Sequence, residues 1–283
     1  MLPRSTISLF LTALTASACT LTLHRPAAAQ TKRPLTTIEA IESSQTPFDR
    51  AESELSESYY ALYRIVERMA RANDLDGHPW RVQILPEYVI NAYSTEANLI
   101  GIQRGLLDQF PGDPSVVACI VGHEMAHHIN RDAAILDARY AEGRAEIDAL
   151  GDEIDNKERL ELIEELSDRM QQLSRERELE ADRFGYQAAV RAGFEAEGCL
   201  RGLNLLSRLE GSLRDSGSHP AVTTRIEAIE TLIADEETNA AWIENGRRRL
   251  ATTEPLSYKW SEEDEQLRID SERGGSLLTW FEE

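Results

Sequence analysis

His123-Glu124-Met125-Ala126-His127 is the stretch on which the reading of this chain turns. A helix is expected around it. Asp113 is a good N-cap, and Pro114 suits the first helical position, where a missing N–H costs nothing. Val116, Ile120, His123 and His127 then recur at spacings of four, three and four, so they share one helical face. Two imidazoles one turn apart can hold two corners of a tetrahedral Zn²⁺ site. Glu124 is rotated by about 100° from His123. From there it reaches a metal-bound water rather than the metal, which is the place for a general base. The bland alternative is an exposed helix with two ordinary histidines. A third ligand elsewhere in the chain has to decide between them.

Downstream, Arg177-Glu178-Leu179-Glu180-Ala181-Asp182 is expected to open a further helix. Glu178 and Asp182 are four apart and face the same way. Glu178 can be the carboxylate ligand. Asp182 can accept the free N–H of a ligating imidazole, fixing its tautomer. Ala181, Gly185 and Ala188 are small and let this helix approach the first closely. Alone, the segment would read as a solvated acidic face; it counts because His123 and His127 precede it. Then comes Gly217-Ser218-His219-Pro220, with Thr223, Thr224, Arg225 and Ile226 after it. A loop histidine here can swing toward the site to stabilise an oxyanion, or bind the zinc and block it, or have no role. Arg225 can pair with a site carboxylate or lie on a helix surface.

Upstream, Leu55, Tyr59, Leu62, Ile65, Val66 and Met69 form one apolar stripe, which predicts a packing helix from Asp49 to Asn73. Residues 80–85, 88–94 and 98–103 read as strands. A small sheet just before a metal-binding helix can offer an edge to an extended peptide. Ile100, Gly101, Ile102 and Gln103 are the expected substrate edge, with plain packing as the alternative. Residues 133–173 are acidic and helical, breaking near Gly151 or Asn156. They read as a solvated hairpin, or as a lid or partner-binding arm. Further helix is expected over 229–234 and 240–250. Residues 253–283 carry no functional reading, although Trp260 and Trp280 suggest docking.

Residues 1–29 look like a secretory signal peptide. Arg4 precedes an apolar run from Ile7 to Ala18, and Ala27-Ala28-Ala29 offers a cleavage site. Cleavage before Cys19 with lipidation of that cysteine is the alternative. A flexible leader (30–48), a catalytic domain (49–235) and a C-terminal extension (236–283) complete the expected organisation. No stretch beyond the signal is apolar enough to span a bilayer, so a soluble or merely tethered protein is expected, exported and periplasmic. With 50 acidic against 30 basic residues, the chain is a poor partner for nucleic acid or anionic lipid. Cys119 and Cys199 are expected as two buried free thiols, with pairing in an oxidising compartment as the alternative. Cys119 lies one turn before His123 and cannot be a fourth ligand in the same helical geometry.

Together these residues resemble the zinc metallopeptidase family that includes the CAAX prenyl proteases and the HtpX-like membrane peptidases, with soluble periplasmic members. The resemblance covers roughly residues 55–235. It rests on Asn91-Ala92-Tyr93 with Gly105-Leu106-Leu107, on the His123-to-His127 motif, on Glu178 to Asp182 with Gly185, and on His219-Pro220 with Arg225-Ile226. It implies an α+β, predominantly helical, zincin-like fold with a small sheet beside the His-Glu-x-x-His helix. By that resemblance His123, His127 and Glu178 hold one Zn²⁺, Glu124 is the catalytic base and Asp182 supports a ligand. The implied activity is endopeptidase cleavage by a metal-activated water, on unfolded or misassembled envelope proteins by family analogy. Relatives commonly show Pro-Gly-Gly where Thr95-Glu96-Ala97-Asn98 stands, and often another His at Asp132. A binding or assembly factor with little turnover, or a latent peptidase blocked by His219, are the alternatives.

Overall fold

Thr46 and Asp49 cap each other across the start of α1 (Pro47–Glu54), and the computed structural model describes the chain from Thr46 to residue 270. The expected signal peptide, Cys19, residues 30–45 of the leader and Trp280 lie outside the described residues. The single helix expected over 49–73 is two. Leu55 turns extended and ends the first, and the Ser56 side chain accepts from the Tyr59 N–H and caps α2 (Glu57–Ala72).

Among the described residues there are five strands, which follow the expected apolar runs only in part. They are β1 (Trp80–Leu85), β2 (Ala92–Ser94) and β3 (Leu99–Gln103), and, after all the helices, β4 (Ser257–Ser261) and β5 (Gln266–Asp270). Residues 86–91 are not strand. They cross over Gly105 of the short helix α3 (Arg104–Leu107), where a Cβ would meet the backbone of Tyr88 and Val89 at 2.6 Å. The sheet order is β2-β3-β1-β5-β4, with β1 and β3 parallel and the other pairs antiparallel. This corrects the expected substrate edge. Ile100 to Gln103 lie in β3, whose two sides are occupied by β2 and β1. The free edge on that side of the sheet is β2.

Residues 257–261 and 266–270, which carry no functional reading in the sequence, are therefore part of this sheet. Their approach is fixed by a buried ion pair on α2. Arg71 pairs with Glu67 at 2.7 Å and donates to the carbonyl of Leu250, while Glu67 accepts from the Leu256 N–H. Trp80, Val82, Ile100, Ile102, Leu267 and Ile269 then alternate onto one sheet face and form the main core with α2 and α4 (Pro114–Asn130).

Next come α5 (Asp132–Ala149), a single 3-10 turn at Gly151–Glu153, and α6 (Asn156–Arg191). The break expected near Gly151 or Asn156 falls here, where Asp155 and Glu158 form a capping box. No new helix opens at Arg177; α6 runs through it, with no proline between 156 and 191 to stop it. Leu166 closes the α5–α6 hairpin over Gly143, where a Cβ would meet its Cδ1 at 2.5 Å. Three helices complete the body, α7 (Glu197–Leu206), α8 (Val222–Ile233) and α9 (Glu236–Thr252). Among the described residues no helix is long and apolar enough to cross a membrane.

The two cysteines do not stay free. Cys119 of α4 and Cys199 of α7 are disulfide-bonded, with Cα atoms 5.3 Å apart. The cause is helix packing that sequence spacing does not reveal. Gly198 lets α7 lie directly on α4, where a Cβ would meet the Ser115 backbone at 2.7 Å. Alkylation followed by mass spectrometry of the oxidised protein should find neither thiol modified, and both modified after reduction in denaturant.

α4 also crosses α6 in close backbone contact. A Cβ on Gly122 would meet Gly185 Cα at 2.9 Å, and one on Gly185 would meet the His123 nitrogen at 2.8 Å. Because the obstruction is backbone, a larger residue must push the helices apart. Gly185→Val should destabilise the protein by about 1–3 kcal/mol and weaken metal binding with it, as read by urea unfolding and chelator competition.

Candidate metal centre

α4 begins as its sequence dictates. The Asp113 side chain accepts from the Val116 N–H, and Pro114 occupies the first turn. Arg201 of α7 clamps the same carboxylate at 2.7 and 2.9 Å, so the cap also ties two helices together. Two turns further on, His123 and His127 point to the same side. Their Nε2 atoms face one another at 3.1 Å.

The outer nitrogen of each ring is committed. His123 Nδ1 donates to Asp182 at 3.0 Å, and His127 Nδ1 donates to Asp132 at 2.8 Å. When both rings are neutral, their inner nitrogens present lone pairs to each other, an arrangement that repels unless a cation lies between them. Glu178 of α6 closes the third side. Its Oε2 is 3.5 Å from His123 Nε2, and its Oε1 is 3.5 Å from His127 Nε2. Glu178 is buried, and its Oε2 has no hydrogen-bond partner. The donor separations are close to the roughly 3.3 Å edge of a tetrahedral site with ligands at 2.0–2.1 Å. His123, His127 and Glu178 therefore fit a metal ion, with two imidazoles and one carboxylate as donors.

The surroundings favour positive charge at that point. Burial works against a charged ring at His123, yet the neighbouring carboxylates of Asp182 and Glu178 outweigh it and raise the ring from 6.5 to about 10. Burial likewise opposes charge on His127, and Asp132 and Glu178 raise it to about 9. Burial alone would raise the Glu178 carboxyl, but the two histidines hold it far below the carboxylate range. A bound metal ion would meet the same demand for charge that a proton meets in its absence.

Asp182 is shared. Besides His123 it accepts two bonds from Arg225, both at 2.6 Å, so α8 is anchored to α6 through a buried, bidentate pair. Glu124 is buried beside His123 and lines the same cavity as Glu178, Asp182, His219 and Arg225. His219 lies at the mouth with its side chain about half exposed. Its Nε2 is 3.6 Å from Glu178 Oε1, and its Nδ1 is 2.7 Å from Ser218 Oγ.

The structure thus gathers His123, Glu124, His127, Glu178, Asp182, His219 and Arg225 at one place. It leaves Ile100 to Gln103 inside the sheet. Sequence reasoning gave Asp132 no role, although it is the partner of His127. The residue before it, Arg131, is in the left-handed region at φ 55°. That bend turns the chain at the end of α4 and brings Asp132 back to the ring. The signal available was an acid five residues after the second histidine, and nothing in the sequence marks the bend.

The family model of peptidase family M48 matches residues 58–233, which include the whole centre. The chain belongs to peptidase family M48. It is 25% identical to the metalloprotease YcaL of Escherichia coli K12 over 58% of this chain and 66% of that protein. It is 35% identical to the mitochondrial metalloendopeptidase OMA1 of Arabidopsis thaliana over 23% of this chain and 13% of that one. A protease HtpX homolog of Moorella thermoacetica is 34% identical over 26% of this chain and 25% of its own length. The match thus spans from an eighth to two thirds of these relatives. No solved structure matches the chain. In this M48 chain, Asp132→Asn keeps shape but loses the charge that holds the His127 tautomer. It should lower metal affinity by about 10–100-fold, measured by competition with a chromogenic chelator.

Proposed function

We propose that the protein is a zinc-dependent endopeptidase acting on exported proteins. One observation carries this reading: the inner nitrogens of two histidines and an unpartnered carboxylate oxygen converge beside the cavity that holds Glu124. The donor set of two histidines and one carboxylate suits zinc with a position left open. Bound there, zinc would act as a Lewis acid and lower the pKa of a water to about 7.

The chain's own residues supply the rest. Glu124 accepts a proton from the attacking water and returns it to the leaving amine. Asp182 and Asp132 hold the two rings in register, and Arg225 keeps Asp182 ionised in its buried position. His219, at the mouth, is placed to donate to the carbonyl oxygen as charge develops there.

The edge strand β2 gives the substrate a track. Tyr93 pairs inward with Gly101, so by the alternation of an antiparallel ladder Ala92 and Ser94 turn their backbone groups outward. Ala92 also lines the cavity. An extended, unfolded segment pairing there passes the metal centre. Export is supported by the character of residues 1–29 and by the Cys119–Cys199 bond, which suits an oxidising compartment.

His219 also favours a second reading, a latent enzyme, because its Nε2 lies within reach of the ligand set. Cleavage gained in His219→Ala would support latency, whereas cleavage lost would support a part in the reaction.

The decisive test is casein cleavage with zinc quantified in the same sample. Glu124→Gln should retain zinc and lose about 10²–10⁴-fold in turnover. Undiminished cleavage in that variant would remove Glu124 from the mechanism.

A further inference from the structure

The cavity at the metal centre continues away from it, with a volume of about 490 Å³. That is within the range of about 300–1,000 Å³ found for small-molecule sites. Its direction follows from α4. His123, Ile120 and Val116 lie on one helical face, so the wall changes from metal-binding to apolar within a single turn, about 5.4 Å. Phe110, Leu203, Leu206 and Ile229 complete an apolar arm, and the disulfide lies in its wall. The charged residues of the lining belong to the metal centre or to the exposed 210–214 segment.

Exposed apolar side chains stand next to the lining in sequence. Tyr88 and Val89, which lead into Ile90 and the edge strand, are 71% and 52% exposed. Leu209, in the lining itself, is 39% exposed.

Gly202 of α7 stands in this arm and is not explained by the fold. Glycine in a helix interior costs stability relative to alanine. Gly198, one turn earlier, is required because backbone of α4 fills its Cβ position. Gly202 has no such neighbour. A Cβ there would meet only Val116 Cγ1, at 3.4 Å, which is near ordinary contact. Its helical conformation does not need glycine either. What glycine leaves at this position is room in the arm.

We propose that the arm is a specificity pocket. It takes one large apolar side chain, aromatic or branched aliphatic, from the substrate residue that directly flanks the scissile bond. This deepens the peptidase reading and rests on it. An alanine at that substrate position would leave Ile120 and Val116 facing water, whereas a leucine or phenylalanine covers them. Gly202 sets the pocket's depth, and the disulfide holds α7 at the distance that keeps it open.

The test uses quenched fluorescent peptides that differ only at the residues flanking the cut, with Phe, Leu or Ala on either side. Wild type should show kcat/KM at least about tenfold higher for Phe or Leu than for Ala on one side of the bond. Gly202→Leu, filling the arm, should lose most of that ratio while its zinc content stays the same. Equal rates for all three side chains in wild type would overturn the proposal and leave the peptidase reading intact. The same peptides are titrated by anisotropy into zinc-loaded Glu124→Gln, with and without Gly202→Leu. If wild type cleaves none of them, the peptidase reading falls. A Phe-over-Ala binding preference that Gly202→Leu abolishes would still support the pocket, and its absence would overturn it. Should Gly202→Leu fail to fold by circular dichroism, the wild-type ratio and the smaller Gly202→Ala step decide.

Discussion

Two glycines, Gly122 and Gly185, let α4 and α6 touch backbone to backbone, and the metal centre depends on that contact. From the crossing, the two helices run past each other in opposite senses. His123 is one residue beyond Gly122, and Asp182 is three before Gly185, so these two side chains meet first. One turn further along each helix, His127 and Glu178 meet. A side chain at either glycine would add width at the pivot. Glu178 would then swing away from both rings, because it sits about two turns from the contact. The helix that carries the histidines and the helix that carries the carboxylate are therefore a single device, held at one separation.

Around that device the charges form a chain rather than a pair. Asp132 holds His127, Asp182 holds His123, and Arg225 holds Asp182. The buried acids Asp132 and Asp182 are thus each held by a side chain of opposite or complementary character. The consequence is mechanical as much as electrostatic. α8 is attached through Arg225, α7 through Arg201 on the Asp113 cap and through the disulfide, and both attachments end on α4 or α6. The loop between α7 and α8 carries His219, so the mouth of the cavity is suspended from the same two helices that form its floor.

Much of this was legible in the sequence, and the reasons are local. His123, His127, Glu178 and Asp182 are read from spacing, because a regular helix converts spacing into direction. The cap at Asp113 is a residue-type signal and appears where expected. Failures fall where position depends on partners distant in sequence or on a backbone bend. Ile100 to Gln103 alternate like an edge strand, but an edge is defined by what is absent beside it, and β2 is beside it. Cys119 and Cys199 pair through a helix packing that only Gly198 hints at. Asp132 depends on Arg131 entering the left-handed region without a glycine to announce it. The long α6 hid its own continuity, since an acidic segment reads the same whether one helix or two.

The sheet has a further property, which concerns the order in which the molecule can be made. β1 finds β3 within about twenty residues, but its other neighbour, β5, lies nearly 190 residues later. Every ligand and charged partner of the centre has been synthesised well before β5 exists. Until then one side of β1 is an open hydrogen-bonding edge above an apolar face, the kind of surface on which chains stick to one another. The nascent protein thus passes through a stage with all its chemistry present and its sheet unfinished. Such distant pairing is slow to form. Among the described residues β4 and β5 contribute no side chain to the metal centre, yet they decide when that vulnerable interval ends.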